Sequence, residues 1–205
     1  MFGVAGLRAR GLFAQRGAVR LHFAVWSALL VIGHVAGGAL AGGVMGWAGA
    51  SLSPAVRRLT CFIFLGACLA WSLPHLSLWR YEMPQWRRQV QRYWMQHLPW
   101  SLVAIGYGLQ LGCGFATYIT VNTIYAAFGL ALLSGSATAG ATVMSAFALA
   151  RSALPVVTGL RLASPESSLK FAATFDRFEP VVLRLNGVAL ILTAVLLAAR
   201  VLRPA

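Results

Sequence analysis

The sequence predicts an all-α membrane protein: a single domain over residues 1–205, built as a polytopic bundle of about five transmembrane helices. Composition is the first reason. Hydrophobic residues make up 59% of the 205-residue chain and charged residues only 10%, against about 25% charged in a typical soluble domain. The second is the length of the apolar runs, at about 21–49, 59–79, 99–133, 137–160 and 181–199; a spanning helix needs roughly 20 mostly apolar residues. The third is that none of them alternates with the period of two expected of a membrane strand. A bilayer leaves helices as the only other way to pair every backbone group.

The first run contains GHVAGGALAGGVMGWAG. Gly33 and Gly37, Gly38 and Gly42, and Gly42 and Gly46 are each four apart, a spacing that lets another helix approach the backbone closely. His34 lies within it. A lone histidine without a second ligand makes a poor metal site, so a neutral, hydrogen-bonded interior residue is expected. The second run carries Cys61 and Cys68. Seven residues apart on one helix, they lie about 10 Å apart along the axis and cannot pair with each other.

Residues 80–100 mix four arginines with Trp86, Tyr93, Trp94 and Trp100, a pattern that fits a helix lying in the interface or an ordinary anchored loop. The third run is too long. As one straight helix, residues 98–133 would extend about 54 Å against a hydrocarbon core of about 30 Å, so the run must extend, tilt or break. Its middle is polar, with Thr117, Tyr118, Thr120, Asn122 and Thr123. A break there would place polar backbone where it can line a cavity. The fourth run contains Arg151, ten residues before Arg161 and therefore about 15 Å deep if Arg161 marks the boundary. No carboxylate lies in any run, so Arg151 must snorkel or find backbone carbonyls, Asn122 or an anionic ligand. Residues 163–180 hold three of the four acids, Glu166, Asp176 and Glu179; this is the most water-like stretch, expected to be a loop and a contact surface for a partner.

Orientation follows from basic residues, which favour the cytoplasmic side. With five spans, eleven arginines and lysines fall on the side of the N-terminus and the loops at 80–92 and 161–177, and four on the other; Arg151 and Arg184 lie within spans. The N-terminus is expected in the cytoplasm and the C-terminus outside, in a cell inner membrane. The Arg-rich, acid-free first 20 residues also suit a mitochondrial inner membrane. The apolar run that follows is too long for a cleaved signal and reads as a retained span.

These assignments exclude several classes. The net charge of +13 marks topology rather than nucleic acid, because no basic-aromatic surface is left once the spans are placed. There is no CxxC, no metal-spaced Cys/His cluster, no Gly-rich phosphate loop and no Ser/His/Asp set, so no catalytic residue, metal or cofactor is expected and the chain does not read as an enzyme. The site expected instead is a polar centre of Thr120, Asn122, Thr123, Arg151 and His34, with Gly33, Gly37, Gly38, Gly42 and Gly46 packing helices. The lipid bilayer is one partner; another membrane protein or a second copy is the other.

Residues 106–159, GYGLQLGCGFATYITVNTIYAAFGLALLSGSATAGATVMSAFALARSALPVVTG, resemble the second half of the DsbD/CcdA-type cytochrome c biogenesis family of membrane proteins, which pass electrons from cytoplasmic to periplasmic thiols. Gly114-Phe115-Ala116, Ala148-Leu149, Leu154-Pro155 and Arg184-Leu185-Asn186-Gly187 carry the likeness, which could extend over residues 23–200. Aligned from Gly114, Thr120 keeps the motif threonine, Val121 stands at the proline and Asn122 at the redox cysteine. An amide cannot supply the thiolate that thiol exchange requires. The resemblance therefore implies the family's fold without its chemistry, closest to cysteine-poor relatives from methylamine-utilisation clusters. Three functions remain: a small-solute transporter or maturation-accessory protein with a polar mid-membrane site, a non-catalytic structural or assembly subunit, and a thiol-redox conduit using Cys61, Cys68 and Cys113.

Overall fold

A computed structural model describes residues 16–79, 97–114, 122–161 and 165–202, and the described regular structure is entirely helical. The elements are α1 (Arg16–Ala50), α2 (Pro54–His75), α3 (Trp100–Cys113), α4 (Thr123–Ser134), α5 (Ala137–Arg161) and α6 (Pro165–Leu202).

Local chemistry sets the boundaries. Ser53 caps α2, its hydroxyl accepting from the Val56 N–H at 3.3 Å, and Pro54 occupies the first helical position, where its missing N–H costs nothing. The same helix ends in paired bonds from Ser77 N–H to the Pro74 carbonyl (3.1 Å) and from Leu78 N–H to the Leu73 carbonyl (3.0 Å), with Ser77 left-handed at φ 60°. Gly114 (φ 73°) and Gly135 (φ 61°) close α3 and α4 in the left-handed conformation that glycine adopts without penalty.

Contacts fix the direction of each element. α3 runs parallel to α1, with Gly33 against Ile105 and Gly37 against Leu109; α4 continues the same way, reaching Gly49 with its Leu132 carbonyl. The third run is therefore interrupted between Cys113 and Thr123 and goes on in one direction instead of doubling back. α5 returns antiparallel along α1, pairing Gly38 with Met144 and Ala148, Gly42 with Gly140, and Gly46 with Ser136. α2 and α6 form a second antiparallel pair through Cys61 and Leu197, Cys68 with Leu190 and Ala194, and His75 with Gly187.

α4 joins the two groups. Ile124, Ala127, Phe128 and Ala131 pack with Met144. On the other side Ala126 joins Cys68 and Leu190, and Gly129 lies under the Phe64 ring. At one end Arg57 donates to the Gly49 carbonyl at 2.8 Å and sits beside Gly135, placing a cation against the closing ends of α1 and α4, where the helix dipole favours it.

Among the described residues, three helices are long and apolar enough to cross a membrane: His22–Ala50, Pro54–His75 and Pro180–Ala199. These are fewer than the five expected. The third run fails the length measure because it is divided into helices of 14 and 12 residues, although Thr123–Ser134 remains apolar. The fourth is 25 residues long but carries Thr138, Thr142, Ser145, Arg151 and Ser152. Residues 165–180, expected as a loop, are instead the start of α6, which opens on Pro165 and runs through Pro180. The outward surface is apolar, as a bilayer requires: Ile32, Leu40, Val44 and Trp47 on α1, Phe62 and Ile63 on α2, and Leu192, Val195 and Leu196 on α6 are all exposed.

Candidate functional site

The glycines of α1 divide between two neighbours. A Cβ at Gly33 or Gly37 would overlap a carbonyl oxygen of α3; one at Gly42 would overlap a carbonyl of α5 and one at Gly46 that of Ser136 just before it, and one at Gly38 would come 2.7 Å from the Met144 carbonyl. The partners answer in kind, since Gly108 and Gly112 of α3 and Gly140 of α5 meet α1 backbone equally closely. Gly108 and Gly112 are themselves four apart, so the sequence carried that signal as well.

This closeness brings polar side chains of three helices to one depth. His34 is 1% exposed, and its Nδ1 lies 2.8 Å from the Ser152 hydroxyl, which is also 1% exposed. Ser152 donates to the Ala148 carbonyl at 2.8 Å. With its single proton used there, the hydroxyl accepts from Nδ1–H, and Nε2 of His34 is left as an acceptor. That nitrogen is buried with no hydrogen-bond partner among the described residues. Trp26 and Trp47, 21 residues apart on α1, are separated by about 32 Å, one bilayer core. His34 lies about 12 Å from the Trp26 level.

Arg151 precedes Ser152 and shares a helix face with Met144 and Ala148, both buried. It is half-buried and next in sequence to the Ser152 that pairs with His34; on α3, Tyr107 adjoins Gly108, which packs against the α1 backbone at Leu30 and His34. Gln110, one turn beyond Tyr107, has its Oε1 buried without a partner among the described residues. The expected Arg151–Asn122 bond is not among the described hydrogen bonds. Asn122 is buried at the start of α4, and its side chain does not cap that helix. Thr123 bonds to α6: its hydroxyl donates to Asn186 Oδ1 at 3.2 Å, and Asn186 donates to the Val182 carbonyl at 2.9 Å. Thr117 and Thr120, the aromatic loop at 80–96 and Glu82 fall outside the described residues.

The structure thus brings together His34, Tyr107, Arg151 and Ser152, of which sequence reasoning named His34 and Arg151. Tyr107 and Ser152 were missed because tyrosine and serine are ordinary in apolar runs, and only the pairing of α1 with α3 and α5 gives them a common position.

The three cysteines lie on two seams and are not joined to one another: Cys61 and Cys68 between α2 and α6, and Cys113 donating toward the Gly37 carbonyl at 3.6 Å. No group of three or more metal-ligating side chains occurs among the described residues.

No family model matches the chain, and no solved structure matches it. Two curated relatives do. The methylamine utilization protein MauF of Methylophilus methylotrophus is 27% identical over 164 residues, covering 80% of this chain and 56% of that protein. The protein of the same name from Paracoccus versutus is 32% identical over 123 residues, covering 60% of this chain and 44% of its own length. The chain spans about half the length of these relatives, and the likeness amounts to weak homology with MauF.

Proposed function

We propose that this chain is a membrane-embedded accessory protein of a methylamine-utilization system, acting through the centre formed by His34, Tyr107, Arg151 and Ser152. Its helices make five crossings in this reading. α1, the broken α3–α4 path and α6 run one way and α2 and α5 the other, with the N-terminus in the cytoplasm and the C-terminus outside. The frame is that of the thiol-electron conduits without their cysteine chemistry.

What supports the proposal is Arg151, half-buried on α5 next to the Ser152 that pairs with His34, with no carboxylate partner among the described residues. A charge in a membrane interior is costly and is retained where it works. Its sign argues against a pore for methylammonium, which a fixed cation would repel, and so favours the accessory role over amine transport. The relatives' name supports the system, and the acids Glu166, Asp176 and Glu179 suit contact with a partner.

The test is genetic. Deleting the chain from its host should abolish growth on methylamine while leaving growth on richer media intact, and the Arg151→Gln variant should fail to restore it at normal expression. Unimpaired growth of the deletion strain on methylamine would refute the proposal.

A further inference from the structure

Resting on the reading of this centre as the working part, we infer that it binds a small monocarboxylate, with the ligand's two oxygens bridging Arg151 and His34. Two unmet requirements meet at one depth. Arg151 is a cation facing the buried Met144–Ala148 side of α5, and all four acids of the chain lie outside the five apolar runs. His34 Nε2 is a lone pair, 99% shielded with its residue, and nothing donates to it among the described residues. The Ser152–Ala148 chain of bonds fixes which ring nitrogen carries the proton and so keeps Nε2 an acceptor.

A simple anion such as chloride would answer Arg151 but not Nε2, since neither chloride nor Nε2 can donate. A neutral amine could donate to Nε2 but would leave the guanidinium charge uncompensated. A carboxylate arriving with one proton answers both. One oxygen accepts from the planar guanidinium fork, and the other shares the proton with Nε2. The site then holds one guanidinium cation, one carboxylate and one proton between oxygen and nitrogen, with no bond made or broken elsewhere.

Snorkelling is the alternative for Arg151, and the helix opposes it. Side chains of an α-helix lean toward its N-terminus. On α5 that direction leads away from the Arg161 end, the nearer surface in the orientation proposed.

The experiment uses the full chain, purified in mild detergent, with sodium acetate as the probe and sodium chloride and methylammonium chloride at equal ionic strength as references. Exchange broadening of ¹³C-acetate and the shift in melting temperature are the readouts. Acetate should broaden and should raise the melting temperature above both references. Arg151→Gln should remove both effects, Arg151→Lys should weaken binding about tenfold by losing the planar fork, and His34→Phe should lose them while Arg161→Gln keeps them. An equal response to chloride would overturn the carboxylate assignment, as would acetate binding that survives Arg151→Gln. So would a wild-type chain that ignores acetate but responds once Glu82, Glu166, Asp176 or Glu179 is neutralised, because a carboxylate of the chain would then occupy the place. Acetate binding in a protein whose deletion leaves growth on methylamine unchanged would keep the site and discard the proposed system, so the two readings fail separately.

Discussion

Replacing Gly42 by alanine tests the seam that creates the polar centre. A Cβ there would overlap the Gly140 carbonyl oxygen and lie 2.6 and 2.7 Å from Met144 Cβ and Cγ. Carbon contacts are most favourable near 3.5–4.0 Å, so α1 and α5 must part by about 1 Å, and a gap of that size forfeits a quarter to a half of each surrounding contact. Overpacking of this kind costs about 1–3 kcal/mol, while alanine returns about 1 kcal/mol of helix propensity. The net loss should be about 0–2 kcal/mol. Gly66 on α2 supplies the control, because nothing lies within 4 Å of a Cβ built there. Gly66→Ala should be neutral or stabilising by up to about 1 kcal/mol. Gly42→Ala with Gly140→Ala should cost less than the sum of the two, since the first substitution has already opened the seam. Reversible unfolding in mixed micelles at rising dodecyl sulfate fraction measures all four proteins. Equal stability of Gly42→Ala and Gly66→Ala would refute the close approach.

Three further predictions use the same protein. Ser152→Ala removes the hydroxyl from His34 Nδ1 and should destabilise by about 1–3 kcal/mol in the same unfolding assay, whereas Thr142→Ala, at an exposed hydroxyl that bonds only its own helix, should change little. Replacing Cys61, Cys68 and Cys113 together by alanine should preserve growth on methylamine; loss of growth at normal expression would revive thiol chemistry. In that cysteine-free protein, Ser51→Cys and Thr138→Cys should react with an impermeant maleimide added outside intact cells and Ser167→Cys should not, and the reverse pattern would contradict the orientation proposed.

The helical class was legible in the sequence because it rests on lengths; one run too long for a bilayer showed that it must extend, tilt or break, without saying which. The number of long apolar helices was not legible. Hydropathy over 98–133 cannot show that Gly114 turns the chain out of the helix, and a run rich in small and hydroxylated residues such as 137–160 packs helices more than it faces lipid. Residues 163–180 misled for a related reason. Their acids suggested water and hence a loop, but Pro165 begins a helix, and a helix can be as polar as a loop.

The site was half legible. Arg151 and His34 stood out because ionisable groups are rare in apolar runs. Asn122 drew attention in the polar middle of the third run and again by its alignment with a redox cysteine, and no bond from it to Arg151 is among the described hydrogen bonds. Thr123 is spent on Asn186 instead, a contact between residues 63 apart that periodicity cannot anticipate.

The most direct test of the central claim is growth on methylamine of a host whose own copy is replaced by Arg151→Gln, beside strains carrying Arg161→Gln and the wild-type chain at matched membrane abundance. The account predicts that Arg151→Gln fails to grow while Arg161→Gln grows as the wild type does. Normal growth of the Arg151→Gln strain would contradict it.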